Sequence, residues 1–269
     1  MNSRVAGRLG GLALWLFAAL GFAFLLAPIV ITVVASLNAA PYLIFPPRGL
    51  SLAWYRKVLE LSWFRATLVN SAVIALASTA IAVVIGLLAA RALARHRFRR
   101  RILLEYLILS PLIIPGVVLG FALLNFVLVI GMKRFPMANL IAAHVLVTIP
   151  FTVRAAWSSM AGMDVSLEEA AQSLGATPWR TFWHVTLPTI LPGVVAGAIL
   201  ALAYSFNDVT ISIFLVARET TTLPVELMAH IEYQPDPTPA AVSSIMILLT
   251  LGFFLVIERT VGLRVFTER

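Results

Sequence analysis

The chain has 269 residues, of which 61% are hydrophobic and 12% are charged, and its mean hydropathy is +0.97. Soluble domains carry about a quarter charged residues, so this composition excludes a soluble protein and indicates a membrane protein. Cysteine is absent, which excludes disulfides and thiolate metal sites. The net charge of +8 does not indicate nucleic-acid binding, because the basic residues cluster at the ends of apolar runs.

Six apolar stretches are long enough to cross a bilayer, which takes about 20 helical residues. In chain order they are residues 11–36, 67–92, 102–131, 137–158, 191–216 and 240–257. The chain between them includes a polar loop at 159–190 and an acidic loop at 217–239. The sequence therefore predicts an all-α membrane protein with six transmembrane helices in a single domain over residues 1–269.

Lysine and arginine are distributed unevenly between the two sides of these spans. One side holds thirteen of them, including six arginines within 91–101, and the other side holds seven. Basic residues favour the cytoplasmic side, so the count predicts that both termini and the loop at 159–190 are cytoplasmic. Glu105, near the start of the third span, is predicted to pair with the arginines of 91–101.

The loop at 159–190 has the pattern of two short helices joined by a bend. Ser166 and Glu169 fit a capping box, which predicts that a helix starts there. Gly175 suits the left-handed residue that ends a helix. Thr177 followed by Pro178 is typical of the start of a second helix.

Aromatic residues dominate the second of these predicted helices. Trp179, Phe182 and Trp183 recur at i, i+3 and i+4, which predicts one aromatic face, and Pro188 and Pro192 are predicted to end the pattern before the fifth span. Such a unit is too short and polar to span a membrane. It can dock another protein or lie on the membrane as a plain amphipathic linker, and the pattern favours neither.

Polar side chains inside the spans are candidates for a solute path, because they are costly in lipid and usually face protein or water. The candidates are Ser205, Asn207 and Asp208 in the fifth span and Asn125 in the third. An acid on the path would suit a cationic solute. Hydrogen bonding between helices is the alternative; it is the favoured interpretation for Asn125 and for His144, while for Asp208 the two stand even.

The chain has no phosphate-binding G-x-x-x-x-G-K-[ST] loop, and neither lysine, Lys57 nor Lys133, follows a glycine. It cannot supply its own ATP site, so energy for uphill transport must come from a partner. A self-contained secondary transporter or channel is the alternative, but ion-coupling residues in several spans and an inverted repeat are not found. The four histidines are scattered, which argues against an enzyme.

Residues 169–188 resemble the EAA signature of bacterial ABC-importer permeases, EAA-x3-G-x9-I-x-LP. The match comprises Glu169 to Ala171, Gly175, Val185 in place of isoleucine, and Leu187 with Pro188. The segments "LSPLIIPGVVLGFAL" and "AYSFNDVTISIFLVARETTTLPVELM" are similar to spermidine/putrescine-type permeases. The chain is thus identified as a member of this family, which implies the type I ABC importer fold.

The resemblance also implies sites and partners. The loop at 159–190 would be the coupling loop that inserts into an ATPase subunit, through Glu168, Glu169, Ala170, Ala171, Gly175, Leu187 and Pro188. The partners would be a second permease chain, two ATPase subunits and a periplasmic solute-binding protein. ATP and Mg would bind to the ATPase, so this chain would hold no cofactor, metal or catalytic residue.

The family further implies location and substrate class. The chain would lie in the bacterial inner membrane, with the loop at 217–239 in the periplasm. Its solute would be a polyamine or a related cationic amino compound, with opines, other amino compounds and phosphonates as alternatives. Relatives of this type often carry two acids where this chain has Asn207 and Asp208.

Overall fold

The computed structural model describes residues 2–96, 98–233 and 236–261. Within these residues the regular structure is helical, apart from one antiparallel bridge between Asn38 and Leu50, so the all-α prediction is confirmed. The cytoplasmic location of both termini stays a prediction, because Met1 and residues 262–269 lie outside the described residues.

Two compact units are formed. The first contains the described residues up to Ser62 and Ala229–Leu248, and the second contains Trp63–Met228 and the described residues from Leu249 onward. That residues 1–269 form a single permease domain stays a prediction.

Twelve α-helices are assigned within the described ranges. They are α1 Asn2–Ser36, α2 Ala53–Glu60, α3 Ser62–Arg95, α4 Arg101–Ile113, α5 Gly116–Val129, α6 Pro136–Gly162, α7 Ser166–Ser173, α8 Pro178–Thr181, α9 Leu187–Asn207, α10 Ser212–Leu215, α11 Leu223–Tyr233 and α12 Thr238–Val261. Five helical segments are long and apolar enough to cross a membrane, and α4 with α5 would make a sixth span if they count as one broken helix.

The predicted third span, residues 102–131, is not one continuous helix. It breaks after Ile113, and α4 and α5 meet at an angle of 104°. Pro115 has no N–H to donate and disfavours helical geometry at the residue before it, so Ile114 is extended with ψ 130°. The helix restarts at Gly116.

The predicted fifth span, residues 191–216, differs at both ends. A π-helical turn, Phe182–Thr186, joins α8 to α9, so the prediction that Pro188 and Pro192 separate the loop from the span is wrong. The helix ends at Asn207, before the predicted 216, because Asp208 is extended and its carboxylate accepts backbone N–H groups that follow it.

The predicted loop at 217–239 contains a further helix, α11. Pro224 lies in its first turn, where the missing N–H costs nothing, and the backbone N–H of Leu223 donates to Ser71 Oγ at 2.8 Å. Leu223, Val225 and Leu227 are buried, so this segment is held by apolar packing as well as by its first turn. The acidic residues of this segment obscure the apolar pattern, so the sequence predicted a loop here.

In the first unit, Asn38 organises the chain between α1 and α2. Its side-chain carbonyl accepts the N–H groups of Ala40 and Arg48, each at 3.1 Å, and its amide donates to the Tyr42 carbonyl at 3.0 Å. The indole N–H of Trp54 donates to the Asn38 backbone carbonyl at 2.9 Å. One buried amide thus orders a stretch that has little helix of its own.

In the second unit, α6 and α9 approach each other closely through small residues. A Cβ at Gly197 would lie 3.0 Å from the Ala155 Cβ and 3.1 Å from the Thr152 Cα, and one at Gly193 would lie 2.7 Å from the Ser159 Cβ. Glycines four residues apart allow such approach between membrane helices. The packing of α6 against α9 therefore depends on Gly193 and Gly197.

Replacing Gly197 by valine is expected to force α6 and α9 apart. Overpacking costs about 1–3 kcal/mol, so the thermal unfolding midpoint in detergent should fall by several degrees. Gly252→Val is the matched control, because a Cβ at Gly252 meets nothing within 4 Å. Equal midpoints for the two variants would contradict this account of the interface.

Candidate functional site

The EAA segment, defined here as residues 164–188, starts with an aspartate cap. The backbone N–H of Glu169 donates to the Val165 carbonyl at 3.2 Å, and Asp164 Oδ1 accepts the backbone N–H of Ser166 at 2.9 Å. The helix start at Ser166 is confirmed, but the capping box with Glu169 is wrong, because Asp164 already satisfies that N–H. Hydrogen bonds from Ser166 lower the pKa of Asp164, so the cap is present at neutral pH and is lost only when the pH falls through this lowered value.

Gly175 ends α7 in the left-handed conformation, with φ +89°, as predicted. Its N–H donates to the Gln172 carbonyl at 2.9 Å, and the N–H of Ala176 donates to the Ala171 carbonyl at 3.1 Å. This pair of hydrogen bonds is the Schellman motif, which terminates a helix in a tight bend. Thr177 Oγ1 then accepts the N–H of Arg180 at 3.3 Å and starts α8.

Glu168 fixes the EAA segment to two other parts of the chain. Its Oε2 lies 2.8 Å from Arg95 Nε at the end of α3, and its Oε1 accepts a hydrogen bond from Thr186 Oγ1 at 2.5 Å, just before α9. The Glu168 side chain is only 13% exposed. Its carboxylate is therefore engaged within this chain and does not face outward.

Several residues around the bend of the segment are exposed. Glu169 is exposed, as is Gly175, while Leu174 is 90% and Trp179 67% exposed. Among the predicted coupling residues, Glu169, Ala170, Gly175 and Pro188 are exposed, and Glu168, Ala171 and Leu187 are half-buried. We call the surface formed by Glu169, Leu174, Gly175 and Trp179 the bend face.

The predicted single aromatic face of Trp179, Phe182 and Trp183 is wrong. Trp179 and Trp183 are exposed, but Phe182 is buried among Ala90, Met160 and neighbouring core residues. Phe182 begins the π-helical turn, whose wider spacing departs from the α-helical period on which the prediction depended. Its ring also lies under the guanidinium of Arg91, 4.5 Å from ring centroid to Cζ.

Asp208 acts as a helix cap in the structure. Its Oδ2 accepts the backbone N–H of Ile211 at 3.2 Å and both the N–H and the hydroxyl of Ser212 at 3.0 Å. Its Oδ1 accepts the hydroxyl of Thr210 at 3.0 Å. The buried carboxylate thus holds the break between α9 and α10 through residues 210–212. The sequence indicated either a solute contact or hydrogen bonding between helices and did not predict this cap, and a role for Asp208 on a solute path stays a prediction.

His144 extends this cap into a buried polar network. Its Nδ1 lies 2.7 Å from Ser205 Oγ, its Nε2 lies 3.0 Å from Ser212 Oγ, and Ser205 Oγ lies 3.1 Å from Ser78 Oγ. The network joins α3, α6, α9 and α10. Ser205 and Asp208 are thereby brought together.

The two predicted asparagines stand apart from that network. Both are exposed, and each donates to a carbonyl of its own helix: Asn125 to Phe121 and Asn207 to Ala203, both at 2.8 Å. Their hydrogen bonds are therefore local, and a role for either on a solute path stays a prediction.

A cavity of about 610 Å³ lies between α4, α6 and α9, and none of the predicted path residues lines it. Its lining includes Glu105, Leu112, Arg154, Trp157 and Leu200. No described residue forms a salt bridge with Glu105, so its predicted pairing with the arginines of 91–101 is wrong for those the structure describes. Arg154, a charge inside the fourth apolar stretch, is the sequence signal that could have indicated this cavity.

Residues 82–263 match the family described as binding-protein-dependent transport system inner membrane component. The chain belongs to this family of ABC-importer permeases. The putrescine transport system permease protein PotI of Escherichia coli K12 is 32% identical, covering 85% of this chain and 83% of that protein. The molybdate/tungstate transport system permease protein WtpB of Pyrococcus abyssi is 30% identical, with coverages of 93% and 96%.

Solved ABC transporters share the fold. A bacterial alginate transporter in complex with an alginate-bound periplasmic protein has a TM-score of 0.76 at 14% identity, covering 98% of this chain and 97% of that one. The methionine transporter MetNI, in inward-facing conformations, has a TM-score of 0.60 at 20% identity, with coverages of 79% and 98%. The predicted type I importer fold is confirmed, and the permease is a multi-pass membrane protein.

Removing the Glu168 carboxylate is expected to loosen the EAA segment. In Glu168→Gln or Arg95→Gln, amide hydrogen exchange over residues 166–186 should accelerate about tenfold, since a charge-assisted hydrogen bond is lost. Glu169→Gln removes an exposed neighbouring carboxylate and serves as the control. The same acceleration in Glu169→Gln would show that Glu168 is not the attachment.

Asp208→Ala is expected to lower the thermal stability of the permease, because four hydrogen-bond donors lose their acceptor. The loss should be about 1–3 kcal/mol, and Asp208→Asn should fall between alanine and wild type since one carbonyl oxygen remains. Asn207→Ala, which removes only an exposed bond within one helix, should change little. If Asp208→Ala unfolds at the wild-type midpoint, the capping role is wrong.

Proposed function

We propose that this chain is a transmembrane subunit of an ATP-driven importer and forms part of the translocation path for a small solute. It works with a second permease subunit of different sequence, two ATPase subunits that bind ATP and Mg, and a periplasmic binding protein that delivers the solute. Family membership supports the permease role. The observation that carries the proposal is the bend face, which is exposed although its attachment to the spans is half-buried.

The geometry suits a coupling role because the bend face is supported from behind. A push on the bend face reaches α3 through Arg95 and α9 through the continuous helix that starts at Pro178. Closure of the two ATPase subunits would thus rock the attached spans as rigid bodies between inward-open and outward-open states. Glu169 and Gly175 are the residues proposed to contact the ATPase.

The proposed orientation follows from the distribution of basic residues. The EAA segment and both termini face the cytoplasm, and the chain lies in the bacterial inner membrane with α11 on the periplasmic side. The arginine-rich turn between α3 and α4 supports this orientation, because basic residues favour the cytoplasmic side.

The proposed solute is a polyamine or a related cationic amino compound. PotI and the spermidine/putrescine permease protein PotC of Escherichia coli K12, which is 28% identical, support this class. Opines, other amino compounds and phosphonates are alternatives. WtpB, a permease named for anions, is 30% identical, so identity at this level is compatible with solutes of either charge.

The docking role is tested by charge reversal and by bulk on the bend face. Glu169→Lys and Gly175→Arg are expected to reduce ATPase co-purification and binding-protein-stimulated ATP hydrolysis by at least about tenfold, as burial of an unpaired charge does at an interface. The measurement is subunit stoichiometry of the purified complex, followed by hydrolysis in proteoliposomes.

Matched controls lie outside the EAA segment. Gly131→Arg places the same side chain at another left-handed glycine, with φ +72° and open surroundings, and Glu232→Lys reverses another exposed acid. Both control complexes should retain the ATPase. Unchanged assembly and turnover in Glu169→Lys and Gly175→Arg would overturn the docking role.

A further inference from the structure

The cavity between α4, α6 and α9 holds two charged residues that neither the EAA segment nor the Asp208 network uses. Glu105 on α4 and Arg154 on α6 both line it, and both also line a small adjoining pocket, so they lie near each other. Neither forms a salt bridge with a described residue. A carboxylate and a guanidinium are thus both available to a third group.

The cavity runs along membrane-spanning helices. On α6 it extends from Pro150 to Ala161, which is about 16 Å of helix, and on α4 it extends from Glu105 to Leu112, beside the break at Ile114. It therefore lies in the half of the spans nearest the EAA segment, where α6 ends. The other end of the cavity reaches the end of α4, where the chain changes direction into α5.

The walls are otherwise mostly apolar. Phe151, Ala155 and Leu200 line the cavity with few polar neighbours. Charged side chains among spanning helices are costly unless they face water or a ligand, and such residues mark solute paths. A volume of about 610 Å³ falls within the usual range for small-molecule sites.

We propose that this cavity is a solute site on the translocation path and that its solute is an amino compound that also carries an anionic group. The ammonium group lies toward Glu105, and the carboxylate or other anion lies toward Arg154. The inference rests on the proposed function and, among the solutes named there, selects the opine and amino-compound alternatives over a polyamine. A polyamine, which has no anionic group, would leave the Arg154 guanidinium unpaired and bring a second cation near it.

Ornithine and putrescine test the proposal, because they differ by one carboxylate. The whole complex is placed in phosphatidylcholine nanodiscs without the binding protein, so that binding reports the permease site alone, and the affinity for each labelled probe is measured. Wild type should bind ornithine at least about tenfold more tightly than putrescine, the difference that one charge-assisted pair provides.

The variants separate the two charges. Arg154→Gln should weaken ornithine binding about tenfold and leave putrescine within about twofold, while Glu105→Gln should weaken both probes. Arg154→Lys should keep part of the ornithine affinity. Arg134→Gln and Glu232→Gln remove exposed charges that do not line the cavity and should bind both probes as wild type does. If Arg154→Gln does not purify as a monodisperse complex, the wild-type preference and Arg154→Lys decide.

Three results would overturn the proposal: equal wild-type affinities for the two probes, an Arg154→Gln complex that behaves like Arg134→Gln, or an anionic phospholipid retained by wild type and lost in Arg154→Gln without ornithine binding. Binding-protein-stimulated ATP hydrolysis is measured on the same preparations. Any of these results with hydrolysis intact refutes the cavity assignment alone, whereas a complex without the ATPase refutes the proposed function.

Discussion

The ion pair between Arg95 and Glu168 is the contact on which the EAA segment depends for its position. α7 has eight residues and α8 has four, and helices this short are not stable by themselves in water. Their conformation must therefore be imposed by contacts with the longer helices. Glu168 supplies one contact to α3 and a second to Thr186, and the buried Phe182 ring supplies the apolar contact.

This attachment explains how one short segment can be exposed and still be held in place by the rest of the chain. The Schellman hydrogen bonds at Gly175 satisfy the last carbonyls of α7 within the segment itself. The outer surface of the bend therefore needs no hydrogen bond from the rest of the chain. The inner surface carries the charge and the aromatic ring. Because α8 runs through the π-helical turn into α9, a displacement of the bend is a displacement of a spanning helix.

The spanning helices are interrupted between α4 and α5 and between α9 and α10, and both interruptions are subject to a constraint that applies throughout a membrane protein. Backbone groups that leave a helix must be satisfied or buried in protein, since lipid offers no hydrogen bonds. The start of α5 packs against the Asp208 break: a Cβ at Gly116 would lie 2.6 Å from Thr210 Oγ1, and one at Gly120 would lie 3.1 Å from the Thr210 carbonyl. Each interruption is thus covered by the other.

The sequence predicted features that depend on local pattern, and it missed those that depend on neighbours. Hydropathy located the spans but averaged over Asp208, whose side chain ends α9 by binding the backbone beyond it. The bend at Gly175 was predicted because a left-handed residue has a local signature. Glu168 and Glu169 are adjacent and chemically alike, so only the position of Arg95 distinguishes the half-buried carboxylate from the exposed one.

The helical framework and the preference for a solute likewise depend on different features of the sequence. PotI and WtpB, named for a cationic amine and for oxyanions, are 32% and 30% identical to this chain over most of its length. What these sequences share is therefore the helical framework and the family pattern, which are indifferent to the charge of the solute. Solute charge must be set by a few side chains whose neighbours differ, and among the described residues Glu105 and Arg154 are charged groups that line the cavity between α4, α6 and α9. In the proposed solute site, Glu105 and Arg154 would supply these charges, and Arg154 on α6 would decide between an amino compound that carries an anionic group and one that does not.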